Sequence, residues 1–541
     1  MSLPDTGSLK GDLAALIKSP DSGSTVVGGG CFEPGGERAR WLVMTYLNKL
    51  FRTLAAEPGR IALIDADTGR SVTAAEFTDL VAHLSEALRV CTEASSGDVV
   101  AIVAPTTIEG LAVRYAAGLL GCATVYCPDA NSADRLAMFL GRIDADLLIV
   151  FPETAGCSGV GQQVVSVGAV GNVDIDLLSA AVVKRPLAQT PVQPTDLCVM
   201  IATGGTTGAF KASRRDWRSY ARMVDSAPTS ERCQLICTPL AYIAQILADG
   251  ALIGGGTVVL HRNFEPARVL QTLQSHRITH LTLVEPLLVE LVDCAALAST
   301  DLSAASAISH IGADAAASLR ARLLDRLGKP VLVNPYGSSE VGAVSALAAP
   351  DYSLDHPELL GSSGKPAADV VRIVGSAERL GRTGEVGTIQ VRSTVQAQGY
   401  SVAAPSSGFL PDGWFSTGDM GVLDDRGYLH VRGRAADMRV VGGLPVFPVD
   451  FQQAFCSLPE VRYAVAVPAP DGEGFGVALV AHPGAGVDAL VDAVCAVSGD
   501  HLAPVATVVV DAVPRTEQGK PDRRALTAVL WPAQISNPPA R

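Results

Sequence analysis

A chain of 541 residues is too long for one hydrophobic core, since single cores stop growing at roughly 250–300 residues, so two or more domains are expected. With 48% hydrophobic residues it reads as a folded globular protein, and 55 Asp and Glu against 42 Lys and Arg leave a net charge of −13 with no basic cluster, which argues against a nucleic-acid partner. The eleven cysteines contain no Cys-x-x-Cys pair, and neither Cys122 with Cys127 nor Cys233 with Cys237 has a His at ligand spacing, so buried reduced thiols in a cytoplasmic protein are expected in place of a metal cluster or disulfide framework.

Residues 1–40 are rich in Gly, Ser, Pro and Asp and read as a loose extension, and the apolar run 13–17 is too short for a signal-peptide core. From residue 41 apolar strand-like runs alternate with helical patterns: a helix over 73–90, a strand over 98–104, a helix over 108–121 and a strand over 123–127. That alternation predicts the α/β class with parallel-rich sheets. The apolar run 197–202 leads into Thr203, Gly204, Gly205, Thr206, Thr207, Gly208, Ala209, Phe210 and Lys211. Glycines between hydroxyls let a turn bring N–H groups, Thr oxygens and an ammonium near phosphate oxygens. Ala209 and Phe210 separate the last glycine from Lys211, so this is not a Walker loop.

The most membrane-like stretch, 235–260, carries only Asp249 as a charge but is broken by Pro239 and by Gly254, Gly255 and Gly256. A buried strand–helix–strand passage is predicted there, with no membrane span. Further units follow at 258–260, 266–276 with 281–284, 318–327 and 331–333, the last leading into a loop of Asn334, Pro335, Tyr336, Gly337, Ser338, Ser339 and Glu340. In an open parallel sheet, ligands bind beyond the carboxyl ends of strands, which makes this loop a site candidate.

Downstream come Gly399-Tyr400, then Gly413-Trp414-Phe415-Ser416-Thr417-Gly418-Asp419, Gly427-Tyr428-Leu429 with Gly433-Arg434, and finally Pro514-Arg515-Thr516-Glu517-Gln518-Gly519-Lys520. In this order the motifs resemble the adenylate-forming superfamily, in its acyl-CoA and aryl-CoA synthetase branch, and the likeness runs from about residue 41 to 526. The resemblance implies a large N-terminal domain over 41–434 and a small mobile C-terminal domain over 435–541, hinged at Ala436 and Asp437. It implies ATP or an acyl-adenylate, Mg²⁺ and CoA as cofactors and co-substrates.

By the same resemblance, the nucleotide would meet Thr203, Gly205, Thr206, Thr207, Gly208 and Lys211 at its phosphates. Tyr336 and Gly337, together with Gly312, Ala313 and Asp314, would line adenine, and Asp419 and Arg434 the ribose. Ser339 would approach the α-phosphate, Glu340 and Thr206 would hold Mg²⁺, and Lys520 would bridge substrate carboxylate and α-phosphate. Gly443 matches the glycine that lets CoA approach. Amino-acid-activating relatives carry an Asp on the segment matching 238–245, which here has no acid, so a carboxylic acid without an α-amine is expected. Tyr242, Ile243, Gly312 and Gly337 would line a roomy apolar pocket suited to an aryl, fatty or polycyclic acid.

Gly204, Phe210, Ala436 and Val440 depart from the family pattern at the phosphate loop and hinge. The expected function is an ATP-dependent ligation of a hydrophobic acid to CoA. Two alternatives stand beside it: a ligase working chiefly on the thioester step with an adenylate from a partner ligase, and a carrier-protein-loading enzyme or noncatalytic binder. A homodimer is compatible with either.

Overall fold

The expected alternation is present. Apolar residues at helical spacing build Ala74–Cys91, whose start is fixed by Thr73 and Glu76 in a reciprocal capping box. The strand Val99–Ile102, the helix Ile108–Leu119 and the strand Ala123–Tyr126 follow. The stretch read as a buried strand–helix–strand passage is Cys233–Ile236, Gln245–Ile253 and Thr257–Leu260. This computed structural model describes residues 45–128, 132–160, 163–203, 211–312, 316–375, 379–401 and 408–532. Among them no helix is long and apolar enough to cross a membrane.

Two large sheets dominate. The seven-stranded sheet runs Gly399–Tyr400, Lys211–Asp216, Leu197–Thr203, Ala123–Tyr126, Val99–Ile102, Leu147–Val150 and Val164–Ser166, parallel from Leu197–Thr203 onward and antiparallel across its first three strands. The eight-stranded sheet has a parallel centre of Leu332–Ser338, Ala307–Ile311, His280–Val284, Cys233–Ile236, Thr257–Leu260 and Ile61–Asp65. Each edge carries one antiparallel strand, Gly342–Leu347 and Ser71–Thr73. A four-stranded antiparallel sheet, Val371–Val374, Gly387–Val391, Phe415–Leu423 and Leu429–Arg434, completes the part before residue 435. Beyond it lie the hairpin Arg439–Val441 with Leu444–Val446 and a three-stranded sheet of Val461–Pro468, Phe475–Ala481 and Ala506–Val509.

One expectation is corrected. Residues 334–340, read as a loop, are mostly strand: Leu332–Ser338 continues through Tyr336 and pairs antiparallel with Gly342–Leu347. The reason is local. The register shifts between Tyr336 and Gly337, and a Cβ at Gly337 would lie 2.1 Å from the Gly342 carbonyl oxygen, so only glycine permits this approach of the two backbones. The missing side chain at 337 therefore faces the partner strand.

The core of the eight-stranded sheet continues into the C-terminal segment. Leu283, Leu287 and Leu323 belong to one buried cluster with Phe451, Val465 and Val477. At that seam Glu285 is fully buried, and its Oε1 accepts bonds from Gln452 Nε2 at 2.7 Å and Tyr463 Oη at 2.8 Å. Burial pushes its carboxyl pKa up against those two bonds.

Candidate active site

The strand ends of the eight-stranded sheet deliver two residues to one place. Val284 ends one parallel strand, and Gly312 follows the next, Ala307–Ile311. Gly312 has φ +84°, a conformation that side-chain-bearing residues adopt at a cost, and a Cβ there would lie 2.7 Å from Lys520 Cε. Gly519, at φ +81°, packs as tightly on Val284 and Leu287. The C-terminal lysine loop is thus seated on the sheet of the first part of the chain by two close glycine contacts.

Arg434, Asp419 and Glu340 are the charged groups whose fields act on Lys520. Burial lowers the lysine pKa, the Arg434 charge adds to that, and Asp419 and Glu340 oppose it. Asp419 and Arg434 sit opposite each other on paired strands, with Arg434 Nε 2.9 Å from Asp419 Oδ1. The other carboxylate oxygen accepts from Tyr336 Oη at 2.8 Å. Burial raises the Asp419 pKa despite the guanidinium and the phenol. Each carboxylate oxygen keeps a second lone pair, so further hydroxyl donors can still be accepted.

The second group gathers at the seven-stranded sheet. Thr203 and Lys211, which flank the segment 204–210, pair in register at the ends of adjacent strands. That segment, with Gly205, Thr206, Thr207 and Gly208, lies outside the described residues, as do Ala313 and Asp314. The Lys211 ammonium is 5.3 Å from the centre of the Tyr400 ring, whose hydroxyl donates to Glu340 Oε1 at 2.7 Å. Tyr400 closes the Gly399-Tyr400 motif, but its contact with Glu340 spans sixty residues and no spacing rule reveals it. Burial and the Glu340 charge raise its pKa well above the ordinary phenol.

The remaining expected residues stand on other elements. Tyr242 is half-buried in a one-turn π-type segment, Leu240–Ala244, with non-helical φ −120° and ψ −132°, and it packs between two core clusters; its neighbour Ile243 is half-buried too. Gly443, at φ +83°, lies in the turn between Arg439–Val441 and Leu444–Val446, with nothing within 4 Å of a Cβ placed there. Ala436 and Asp437 form a short 3₁₀ turn, Ala435–Asp437, directly after Leu429–Arg434, and Asp437 pairs with Arg523.

A cationic, carboxylate-bearing and aromatic cluster at strand ends, approached by a lysine from the C-terminal segment, can hold a nucleoside phosphate and neutralise charge beside it. Comparison with known proteins agrees. A family model described as AMP-binding enzyme matches residues 50–401. A medium/long-chain-fatty-acid–CoA ligase, FadD8 of Mycobacterium tuberculosis, is 31% identical over 398 residues, 68% of this chain and 69% of its own. A feruloyl-CoA synthase of an Amycolatopsis species is 29% identical over 84% of this chain and 92% of its own. The amide bond synthetase McbA of Marinactinospora thermotolerans superposes with a TM-score of 0.79 at 28% identity, covering 90% of this chain and 99% of its own. The chain therefore belongs to the AMP-binding enzyme family, in the acyl-CoA ligase branch of the adenylate-forming superfamily, and is an AMP-forming acid–thiol ligase by class.

Proposed function

We propose that the enzyme joins a hydrophobic carboxylic acid lacking an α-amine to CoA in two steps at this site. In the first, a carboxylate oxygen of the acid attacks the α-phosphorus of ATP, the bond to the β-phosphate oxygen breaks, and pyrophosphate leaves with its electron pair. In the second, the CoA sulfur attacks the acyl carbon, the acyl–phosphate bond breaks, AMP leaves and the thiol proton passes to solvent. The observation that carries this reading is that Lys520, seated on Gly312 at the end of a parallel strand, is acted on by the charges of Asp419, Arg434 and Glu340, with Tyr336 bonded to Asp419.

The residues divide the work. Tyr336 offers an aromatic face to adenine, and Asp419 with Arg434 binds the ribose. Ser339 stands by the α-phosphate, and Thr203 and Lys211 meet the outgoing phosphates. Lys520 neutralises charge that develops as carboxylate meets phosphorus. Among the described residues no three His, Cys, Asp or Glu side chains are grouped to hold a metal by themselves. One carboxylate, Glu340, suits Mg²⁺, which takes its other ligands from phosphates and water and would offset phosphate charge when bound.

Residues 41–434 and 435–541 are read as the two domains, turning about Ala436 and Asp437 so that Gly443 replaces the lysine loop beside CoA. The half-buried Tyr242 and Ile243 are assigned to the acyl pocket, and the fatty-acid and feruloyl relatives support an apolar acid. A second reading is favoured by Phe210 and Val440 and by the likeness to an amide bond synthetase: the adenylate is supplied by a partner, or passes to an acceptor other than CoA. A panel of fatty, aryl and polycyclic acids with ATP, with and without CoA, tests both readings. Equal AMP, pyrophosphate and acyl-CoA on one acid supports the first. AMP and pyrophosphate without CoA consumption, or thioester only from supplied adenylate, supports the second.

A further inference from the structure

Arg215 lies on the strand Lys211–Asp216, four residues past Lys211, with its side chain fully buried. A guanidinium removed from water is ordinarily matched by a carboxylate, as Arg114 is by Asp249 at 2.9 Å in the same half of the molecule. Among the described residues Arg215 makes no ion pair. Its Nη2 donates to the Ser339 carbonyl at 2.5 Å and its Nη1 to the Val395 carbonyl, and its Nε is buried without a partner. Two carbonyl dipoles are weak compensation for a buried unit charge.

The two acceptors flank one residue. Ser339 directly precedes Glu340, and Val395 stands at the start of the segment that runs to Tyr400, whose hydroxyl donates to Glu340. The same turn is held from both sides: Ser213 Oγ donates to the Ser339 carbonyl at 3.1 Å, and the Ala397 amide donates to the Glu340 carbonyl at 2.7 Å. The Gln398 and Ser401 amides bond the carbonyls of Arg214 and Ala212, tying the segment to the strand that carries Arg215. A cation thus sits beneath the turn that presents Ser339 and Glu340, and Glu340 is the first among the charges whose fields it feels. Asp216, on the same strand, is the other acid that acts on it.

We propose that Arg215 is a positioning residue for phosphate binding: its two N–H groups fix the Ser339–Glu340 turn, and its charge is balanced by the phosphates of the bound nucleotide. This rests on the nucleotide reading of the site given above. A buried cation of this kind favours a ligand in proportion to its negative charge, whereas a residue that merely braces the fold affects all ligands of one pocket alike.

Calorimetry with adenosine, AMP and ATP in the presence of EDTA separates the two for wild type, Arg215→Gln and Arg215→Lys. Arg215→Gln should bind adenosine within about twofold of wild type, AMP about tenfold more weakly, and ATP more weakly still. Arg215→Lys, which keeps the charge but cannot bridge two carbonyls, should recover AMP and ATP binding to within about threefold while adenylation turnover stays below wild type. Equal weakening of all three ligands in either variant, or no weakening in Arg215→Gln, overturns the assignment. If Arg215→Gln does not fold, Arg215→Met supplies the charge-free series and is judged by the same criterion. Wild-type protein that binds none of the three overturns the nucleotide reading and this assignment together. Wild-type binding beside uniform losses in a variant overturns this assignment alone.

Discussion

Gly312 and Lys520 meet without room for one more carbon: a Cβ at 312 would lie 2.7 Å from Lys520 Cε and 3.5 Å from its Nζ, and the backbone at 312 is already at φ +84°. The contact joins the end of a parallel strand to a loop more than two hundred residues away. Gly312→Ala should displace the flexible lysine and also strain the backbone at φ +84°, at a cost of about 1–2 kcal/mol of stability. Adenylation should fall by roughly 10²-fold, the cost of misplacing one electrostatic stabiliser. Thioester formation from supplied acyl-adenylate should fall far less, as measured on the same preparation.

Asp419 accepts from Tyr336 and pairs with Arg434, so its removal frees both of these groups. Asp419→Ala should weaken AMP binding by an order of magnitude or more, because charge-assisted bonds are worth roughly 1.5–3 kcal/mol. Tyr336→Phe, which removes only the phenol bond, should cost about 0.5–1.5 kcal/mol in the same titration. A Phe variant that loses as much as Asp419→Ala would place the phenol, and not the carboxylate, at the ribose.

Tyr400→Phe keeps the ring beneath the Lys211 ammonium but deletes the hydroxyl bond to Glu340. The Mg²⁺ concentration for half-maximal adenylation should rise by roughly three- to tenfold, in line with about 1 kcal/mol for the bond. Tyr400→Leu removes the ring as well and should also raise the KM for ATP. Equal Mg²⁺ dependence in Tyr400→Phe and wild type would separate Tyr400 from the metal site.

Glu285 gives a pH dependence of definite sign. Burial raises its pKa in the folded protein, so the native state binds its proton more tightly than the unfolded chain does. The stabilisation is full below the unfolded pKa and is lost as pH rises through the folded one. Glu285→Gln keeps an oxygen to accept from Gln452 and Tyr463 and carries no charge. The gap in Tm between this variant and wild type should therefore widen in the variant's favour as pH rises from 5 to 8, reaching roughly 2 °C or more in thermal melts.

Much of this was legible in the sequence because it depends on local pattern. The periodicities located Ala74–Cys91, Val99–Ile102 and Ile108–Leu119, and the motifs singled out Tyr336, Asp419 and Arg434, whose side chains the fold joins. The extension of the strand through Tyr336 was hidden, because Pro335 and Gly337 read as turn residues until a second strand supplies their hydrogen-bond partners. Arg215 was hidden for the opposite reason: a charged residue in a short polar strand reads as solvated, and only the tertiary fold buries it. The Glu285, Gln452 and Tyr463 bonds span 167 and 178 residues, a separation over which no spacing rule operates.

The central claim is that one lysine, brought in by the C-terminal segment, serves adenylate formation at the strand ends and nothing after it. Measuring ATP–pyrophosphate exchange and thioesterification of supplied acyl-adenylate on wild type and Lys520→Ala, with the best acid from the panel, tests it most directly. The account predicts exchange reduced by roughly 10²–10³-fold in the variant, with thioesterification within a few fold of wild type. Equal loss of both rates, or exchange that survives the substitution, would contradict it.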